Sequence, residues 1–178
     1  MNKKQIIMIN NRELLFREIT LQDKAQVMEL FKACKEFFLL TEGVQPDNCE
    51  AFFTELPPNK KKEDKYLYGI FDKDTLIGAL DLISDFPEKG EWIIGLLLLH
   101  PKTRGSGLGK GVHKVIKEIV KGEGGEKLRV GVMEENKNAL HFWRKMGYEQ
   151  RKVTKPIKSG IKESKIIVMN HYLVENEV

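Results

Sequence analysis

Residues 96–111 read LLLLHPKTRGSGLGKG, an apolar run followed by a loop rich in glycine that opens an amphipathic helix. Glycine lets backbone N–H groups approach a ligand closely, and the first turn of a helix leaves its N–H groups unpaired with a partial positive charge. The stretch therefore predicts a buried strand followed by an anion-binding loop, and a diphosphate is the ligand that such a loop suits best.

The glycine spacing excludes the two commonest phosphate-binding motifs. The dinucleotide fingerprint G-x-G-x-x-G finds no third glycine whether it starts at Gly105 or at Gly107. A Walker loop fails because Arg104 stands where its first glycine belongs. The pattern that fits is R-x-x-G-x-G, formed by Arg104, Gly107 and Gly109.

Two further segments accompany this loop. Residues 136–148, NKNALHFWRKMGY, have an alanine three residues and an aromatic seven residues after Asn136, and end in a glycine–aromatic pair. Residues 15–23, LFREITLQD, read as an opening strand and a helix cap. With the loop, these segments resemble the GNAT superfamily of N-acetyltransferases, and the likeness extends over about residues 13–173.

The resemblance implies an α/β fold of the mixed α+β kind. Its sheet is mixed and mostly antiparallel, has helices on both faces, and parts a central pair of parallel strands to form the cofactor cleft. Here that pair is 92–99 and 128–133, in a single domain that takes up residues 1–178.

Hydrophobic periodicity predicts the elements around this pair. Apolar residues at helical spacing predict a helix after Thr20 with Val27, Leu30, Phe31 and Cys34 inside, and a longer helix from Leu108 to Gly122 with His113 facing solvent. Shorter helices are predicted at 49–55 and 138–146. The remaining strands are predicted at 14–19, 66–71, 75–83, 149–153 and 164–172. The unalternating strand 92–99 is expected to be covered on both faces.

The resemblance also implies acetyl-CoA as co-substrate, with no metal. Main-chain N–H groups of the loop would bind the diphosphate, the strand 97–99 would pair with the pantetheine arm, and the N–H of Leu99 would face the thioester oxygen. The predicted cofactor-binding residues are Leu97, Leu98, Leu99, Arg104, Gly105, Ser106, Gly107, Leu108, Gly109, Lys110, Asn136, Ala139 and Trp143.

The catalytic groups depart from the family pattern. Many members carry a tyrosine where this chain has Trp143, and an indole N–H is no acid at neutral pH. Either the thiolate leaves without a dedicated acid or another group serves, and neither Tyr148 nor His141 is assigned that role. For the base, Glu91 stands where some relatives have a catalytic glutamate, and the alternatives are a surface carboxylate at that position and a water chain.

Composition limits the partners. The net charge of +4 over 178 residues suits an anionic small molecule and is too mild to argue for nucleic acid. No apolar run spans a bilayer, and two cysteines without a metal-ligand spacing favour reduced thiols in the cytoplasm.

The predicted function is acetyl transfer to a primary amine, of a small molecule or a peptide, by direct attack in a ternary complex. Glu36, Glu42, Asp47 and Glu50 hint at a cationic amine.

Two alternatives stay open, a non-catalytic acetyl-CoA sensor and an ATP-binding protein. The oligomeric state is open as well, with a homodimer as one option.

Overall fold

The computed structural model describes residues 4–173, and its centre is an eight-stranded mixed sheet. From one edge to the other the strands are β1 (Gln5–Ile9), β2 (Arg12–Glu18), β3 (Lys65–Asp72), β4 (Thr75–Ile83), β5 (Glu91–Leu99), β6 (Lys127–Met133), β10 (Ile166–Tyr172) and β7 (Glu149–Val153). Neighbouring strands are antiparallel except β5 and β6, which are parallel. A separate small hairpin joins β8 (Ile157–Ser159) to β9 (Lys162–Ser164).

The helices belong to two hydrophobic clusters. The helices α1 (Lys24–Ala33), α2 (Lys35–Thr41) and α3 (Glu50–Thr54) bury Val27, Leu30, Phe31, Phe38 and Phe52 against β3, β4 and β5. The helices α4 (Leu108–Gly122) and α5 (Lys137–Lys145) pack in the other, larger cluster. Within residues 4–173, no helix is long and apolar enough to cross a bilayer.

The parallel pair separates partway along its length. Pairing of β5 with β6 runs from Glu91 opposite Lys127 to Ile94 opposite Val130 and then stops. At the same point Gly95 is an extra residue in β5, because Leu96 pairs with Asp81 of β4 while Ile94 pairs with Leu82. Such a bulge bends a strand and increases its twist, which accounts for the gap that opens between the two strands.

Most of the predicted elements are confirmed, including the fold class and the parallel pair. Thr20 and Asp23 form the capping box, in which the Thr20 N–H donates to Asp23 at 2.9 Å. The apolar residues at helical spacing in the predicted helix 108–122 form the inner face of α4, and all are buried: Leu108, Val112, Val115, Ile116, Ile119 and Val120.

Three expectations need correction. His113 was expected in solvent but is buried, because its ring lies among Trp143, Tyr148 and His171. The strand β5 is not covered on both faces, since Gly95 is exposed and Leu96, Leu97 and Leu99 are half-buried. Two hairpins were missed: β8–β9, and β1–β2, whose turn at Asn10 and Asn11 has both residues at positive φ.

Candidate active site

The glycine loop presents free backbone N–H groups at the start of α4. Gly105 and Gly107 have φ of 73° and 82°, a conformation that favours glycine. The first main-chain bond of α4 runs from the Gly111 N–H to the Gly107 carbonyl at 3.1 Å. The N–H groups of Leu108, Gly109 and Lys110 therefore have no acceptor within the helix. They form a cradle that fits a diphosphate.

Close packing under the loop also requires glycine. A Cβ on Gly109 would lie 2.8 Å from the ring of Phe142 in α5. A Cβ on Gly111 would lie 2.5 Å from Ile9 of β1. These glycines let α5 and the β1–β2 hairpin support the first turn of α4 from two sides.

The loop is further held by side-chain hydrogen bonds. The Ser106 hydroxyl donates to the Thr103 carbonyl, and the Asn10 amide donates to the Ser106 carbonyl. Arg104 and Lys110 are exposed, whereas Leu108 is buried in the core. Leu108 can therefore offer a ligand its backbone only, while the two cations add charge at the rim.

The gap between β5 and β6 leaves part of the β5 backbone unpaired. The His100 N–H donates to Ile77 of β4 at 2.8 Å. Because alternate residues of an antiparallel strand point their backbone groups to the same side, Leu98 also faces β4, whereas Leu97 and Leu99 face away from it. The Leu99 carbonyl accepts a weak hydrogen bond from Cys34 Sγ at 3.5 Å, so the N–H of Leu99 is its group that stays open to a ligand. The three leucines predicted to pair with a ligand therefore differ in orientation, because Leu98 uses its backbone groups to pair with β4.

Two cavities meet at this gap. The smaller, about 340 Å³, lies beside Leu99 and Arg104 on the side of the glycine loop. The larger, about 550 Å³, lies between α2, α3, the bulge and the β8–β9 hairpin. Residues that line both cavities are Phe37, Leu97, Asn136, Ala139 and Trp143.

Asn136 has two roles at this junction. Its Oδ1 accepts a hydrogen bond from the Ala139 N–H at 3.2 Å, so Asn136 is the N-cap of α5. Its amide nitrogen makes no hydrogen bond to any residue from 4 to 173, so a ligand in either cavity can accept from it. Trp143 is buried and forms a wall of both cavities.

The two groups left unassigned as acids lie elsewhere. Tyr148 is buried behind Trp143, its hydroxyl is 3.1 Å from Nε2 of His113, and burial raises its pKa. His141 is exposed on α5. Neither Tyr148 nor His141 lines the smaller or the larger cavity.

Glu91 lies at the closed end of the strand pair. Its carboxylate is 2.8 Å from Nζ of Lys127 and 3.1 Å from a guanidinium nitrogen of Arg129, and the residue is 2% exposed. It lines neither cavity and is not a surface carboxylate. Glu91 is therefore a structural residue, whose two ion pairs connect β5 to β6.

Three carboxylates line the larger cavity: Glu42, Glu55 and Asp81. Burial raises the pKa of Glu42, and the nearby Glu55 raises it further. Of the other acidic residues noted in the sequence, Glu36 lines the smaller cavity and Glu50 pairs with Lys24 at 2.7 Å. Asp47 accepts from Asn48 and lines neither cavity.

Sequence inspection missed Asp81 and Glu55. Asp81 stands in TLIGALDLI, residues 75–83, where it is the one charged residue in a strand that is otherwise apolar. A charge in such a run is a usable signal, because a buried charge needs a partner or a function. Within residues 4–173, no three metal-ligand side chains are grouped as around an ion.

The chain matches known proteins over most of this architecture. Residues 24–148 match the family model described as the Acetyltransferase (GNAT) family. A curated relative, the uncharacterized N-acetyltransferase YobR of Bacillus subtilis (strain 168), is 26% identical over 116 residues, which are 62% of this chain and 43% of that protein. The chain thus spans less than half the length of this relative.

Solved structures show the same fold. An acetyltransferase from Thermus thermophilus has a TM-score of 0.72 at 17% identity, covering 94% of this chain and 99% of that one. The ribosomal-protein-S18-alanine N-acetyltransferase from Escherichia coli has a TM-score of 0.69 at 10% identity, covering 93% and 98%. At these identities the likeness shows the fold alone.

Proposed function

The chain belongs to the Acetyltransferase (GNAT) family, and on that premise we propose that it moves the acetyl group of acetyl-CoA to a primary amine. The observation that carries the proposal is the meeting of two cavities at the gap between β5 and β6. One cavity leads to the glycine loop, and the other is lined by carboxylates. This arrangement supports direct attack in a ternary complex, because donor and acceptor would approach from opposite sides.

The donor would occupy the smaller cavity. The N–H groups of the first turn of α4 would bind its diphosphate, with Arg104 and Lys110 adding charge that solvent screens. The backbone of Leu97 and Leu99 would pair with the pantetheine arm like an added strand. The amide nitrogen of Asn136 would donate to the same arm.

The thioester oxygen would accept from a backbone N–H of β5. The family resemblance implies the N–H of Leu99, and Leu97 is a second candidate because it lines both cavities. A preorganised N–H donor stabilises the negative charge that develops on this oxygen. Since only backbone is needed, leucine at either position is compatible with the role.

The acceptor would occupy the larger cavity. Glu42, Glu55 and Asp81 favour a cationic amine, in a small molecule or at the end of a peptide. Lys158 of β8 is the lining residue that opposes this charge. An amine that carries a carboxylate beside its nitrogen is therefore a poor fit.

The thiolate would leave without a dedicated acid. Trp143 cannot supply a proton, and Tyr148 and His141 line neither cavity. A simple alkyl thiol has a pKa of about 8.5, so its thiolate is a tolerable leaving group near neutral pH.

A binding and turnover experiment tests the proposal. Calorimetry with acetyl-CoA and with ATP compares the two ligands, and release of free thiol is then followed with spermidine, tobramycin and a tripeptide. We expect acetyl-CoA to bind and at least one amine to release thiol above the rate of hydrolysis. Binding without turnover would instead support an acetyl-CoA sensor, and a preference for ATP would overturn the assignment.

The proposed setting is the cytoplasm, where a single acetyltransferase domain would act. Cys34 and Cys49 are free, buried thiols, as expected in a reducing compartment. Burial raises the pKa of Cys34 to about 11, so it is inert as a nucleophile and acts in packing.

A further inference from the structure

Asp81 is a buried carboxylate with one oxygen left unsatisfied. Its Oδ1 is buried and accepts no hydrogen bond from any residue in the described part of the chain. A buried acceptor without a partner costs about 1–3 kcal/mol, so such atoms are rare and call for an explanation. Oδ1 is closed off from the larger cavity that Asp81 lines, so neither water nor a ligand there stabilises its charge, and the carboxylate is more basic for that reason.

The other oxygen is held by a buried lysine. Nζ of Lys65 lies 2.7 Å from Asp81 Oδ2 and also donates to the Glu55 carbonyl at 3.0 Å. The Lys65 side chain is 4% exposed and that of Asp81 is 15% exposed. This pair fixes the orientation of the carboxylate and holds Oδ2 on the side of Gly95, a residue that lines the larger cavity.

The strand bulge places this carboxylate next to the junction of the cavities. Asp81 pairs directly with Leu96, the residue between the bulge at Gly95 and Leu97. A Cβ on Gly95 would lie 3.1 Å from Asp81 Oδ2, so glycine at the bulge gives the carboxylate its space. Leu97, whose backbone faces away from β4, is one residue further along β5.

The charges that face Asp81 come from several elements. Lys65 of β3 is in contact, Glu55 follows α3, Glu42 follows α2, and Lys158 lies on β8 across the cavity. Burial raises the pKa of Asp81, Lys65 lowers it, and Glu55 raises it again. A carboxyl group shifted upward is a better proton acceptor near neutral pH.

We propose that Asp81 is the catalytic base, which accepts the proton of the attacking amine on its carboxylate at Oδ2 while Lys65 fixes the orientation of that group. The inference rests on the proposed function and deepens it. The neutral amine forms its C–N bond to the thioester carbonyl carbon, and the proton on that nitrogen, made acidic by bond formation, passes to Oδ2 of Asp81. The C–S bond then breaks, its electron pair leaves with the thiolate, and Asp81 returns its proton to solvent.

The test compares Asp81→Asn with a matched control, Asp72→Asn. Asparagine keeps the shape of the side chain but cannot accept a proton. Asp72 also pairs with a cation, Arg12, and lines neither cavity of the site. Thiol release is measured with spermidine, tobramycin and a tripeptide between pH 5.5 and 9, beside calorimetric binding of acetyl-CoA and thermal melting.

For Asp81→Asn we expect kcat to fall by about 10²–10⁴ with the Kd of acetyl-CoA unchanged. The acidic limb of the kcat profile is expected to disappear from the residual activity, a change that loss of packing alone would not cause. Asp72→Asn should keep both the rate and the profile.

Two results would overturn the inference in distinguishable ways. A folded Asp81→Asn enzyme within threefold of the wild-type rate would remove Asp81 as the base and leave the proposed function standing. A wild-type protein that binds acetyl-CoA but releases no thiol with any of the three amines would contradict the proposed function, and the role of Asp81 with it.

Discussion

Gly107 carries the conformation on which the anion cradle depends. Its φ of 82° costs other residues about 1–2 kcal/mol, and a β-branched residue more, although a Cβ there meets nothing within 4 Å. We predict that Gly107→Val weakens acetyl-CoA binding at least tenfold while the protein stays folded. Calorimetric titration with circular dichroism as a fold check measures this.

Gly122 provides the control for that substitution. It lies in the same helix, has no positive φ and also has open space around it. Gly122→Ala should leave the Kd unchanged and add up to about 1 kcal/mol of stability. Equal loss of binding in both variants would show that α4 as a whole, and not the loop, had been damaged.

His113 should make stability depend on pH. Burial, together with the nearby Lys117 and His171, lowers its pKa from 6.5 to about 4, and the Tyr148 hydroxyl lies 3.1 Å from its Nε2. Between these values the unfolded chain binds a proton that the folded chain does not, so the free energy of unfolding falls as pH decreases. Above about pH 7 His113 is neutral in both the folded and the unfolded chain, so its protonation no longer lowers the free energy of unfolding.

The expected loss is about 2 kcal/mol between pH 7 and pH 5. Urea unfolding of the wild type and of His113→Gln at both pH values isolates the contribution of His113, since other groups titrate in both proteins. Parallel pH dependence in the two proteins would show that His113 titrates normally in the folded state.

Among the elements, the β8–β9 hairpin forms one wall of the acceptor cavity by contacting the end of α2. The Ile161 N–H donates to the Glu42 carbonyl at 2.9 Å, and a Cβ on Gly160 would lie 2.4 Å from that oxygen. Gly160→Ala must therefore move the hairpin. We predict a KM for the amine raised by about fivefold, the equivalent of one lost hydrogen bond, with the Kd of acetyl-CoA unchanged.

Gly124→Ala is the matched control for the hairpin. Gly124 also has a positive φ, of 83°, but nothing lies within 4 Å of its Cβ position. It carries the same backbone strain without the collision. A rise in KM in this variant as well would trace the effect to general destabilisation.

The elements with strong periodicity were predictable from sequence. The stripe from Leu108 to Val120 repeats at helical spacing, and the predicted inner residues of α4 are all buried. The strand β1 was missed because residues 6–9, IIMI, are apolar without alternation, although Ile6 and Met8 are exposed at the edge of the sheet. The Asn10-Asn11 turn was the available signal for that hairpin.

The site was only partly predictable for a related reason. The glycine loop and Asn136 lie within short motifs that can be read locally. Asp81 acquires its position from a strand pairing and from a bulge opposite it, neither of which has a local pattern. His113 was misplaced because the periodicity of α4 does not reveal that α5 and β10 cover that side of the helix.

At the scale of the whole molecule, acetyl-CoA should bind the folded state and not the unfolded chain. The loop, β5 and Asn136 come together only when α4, the sheet and α5 are assembled. A ligand at 100 times its Kd then adds about 2.7 kcal/mol to the free energy of unfolding. For a chain of this size the melting temperature should rise by about 5–10 °C.

Differential scanning fluorimetry with acetyl-CoA, coenzyme A and ATP at equal concentration measures the shift. We expect both coenzyme A species to stabilise the protein more than ATP does. A larger shift with ATP would contradict the assignment of the loop.

The edge of β5 that faces away from β4 at Leu97 and Leu99 has a consequence for the catalytic cycle. A product that had docked there as a temporary strand would have to break several main-chain hydrogen bonds at once in order to depart. Spent coenzyme would then compete with fresh acetyl-CoA for the same edge, and the enzyme would slow as that product accumulates.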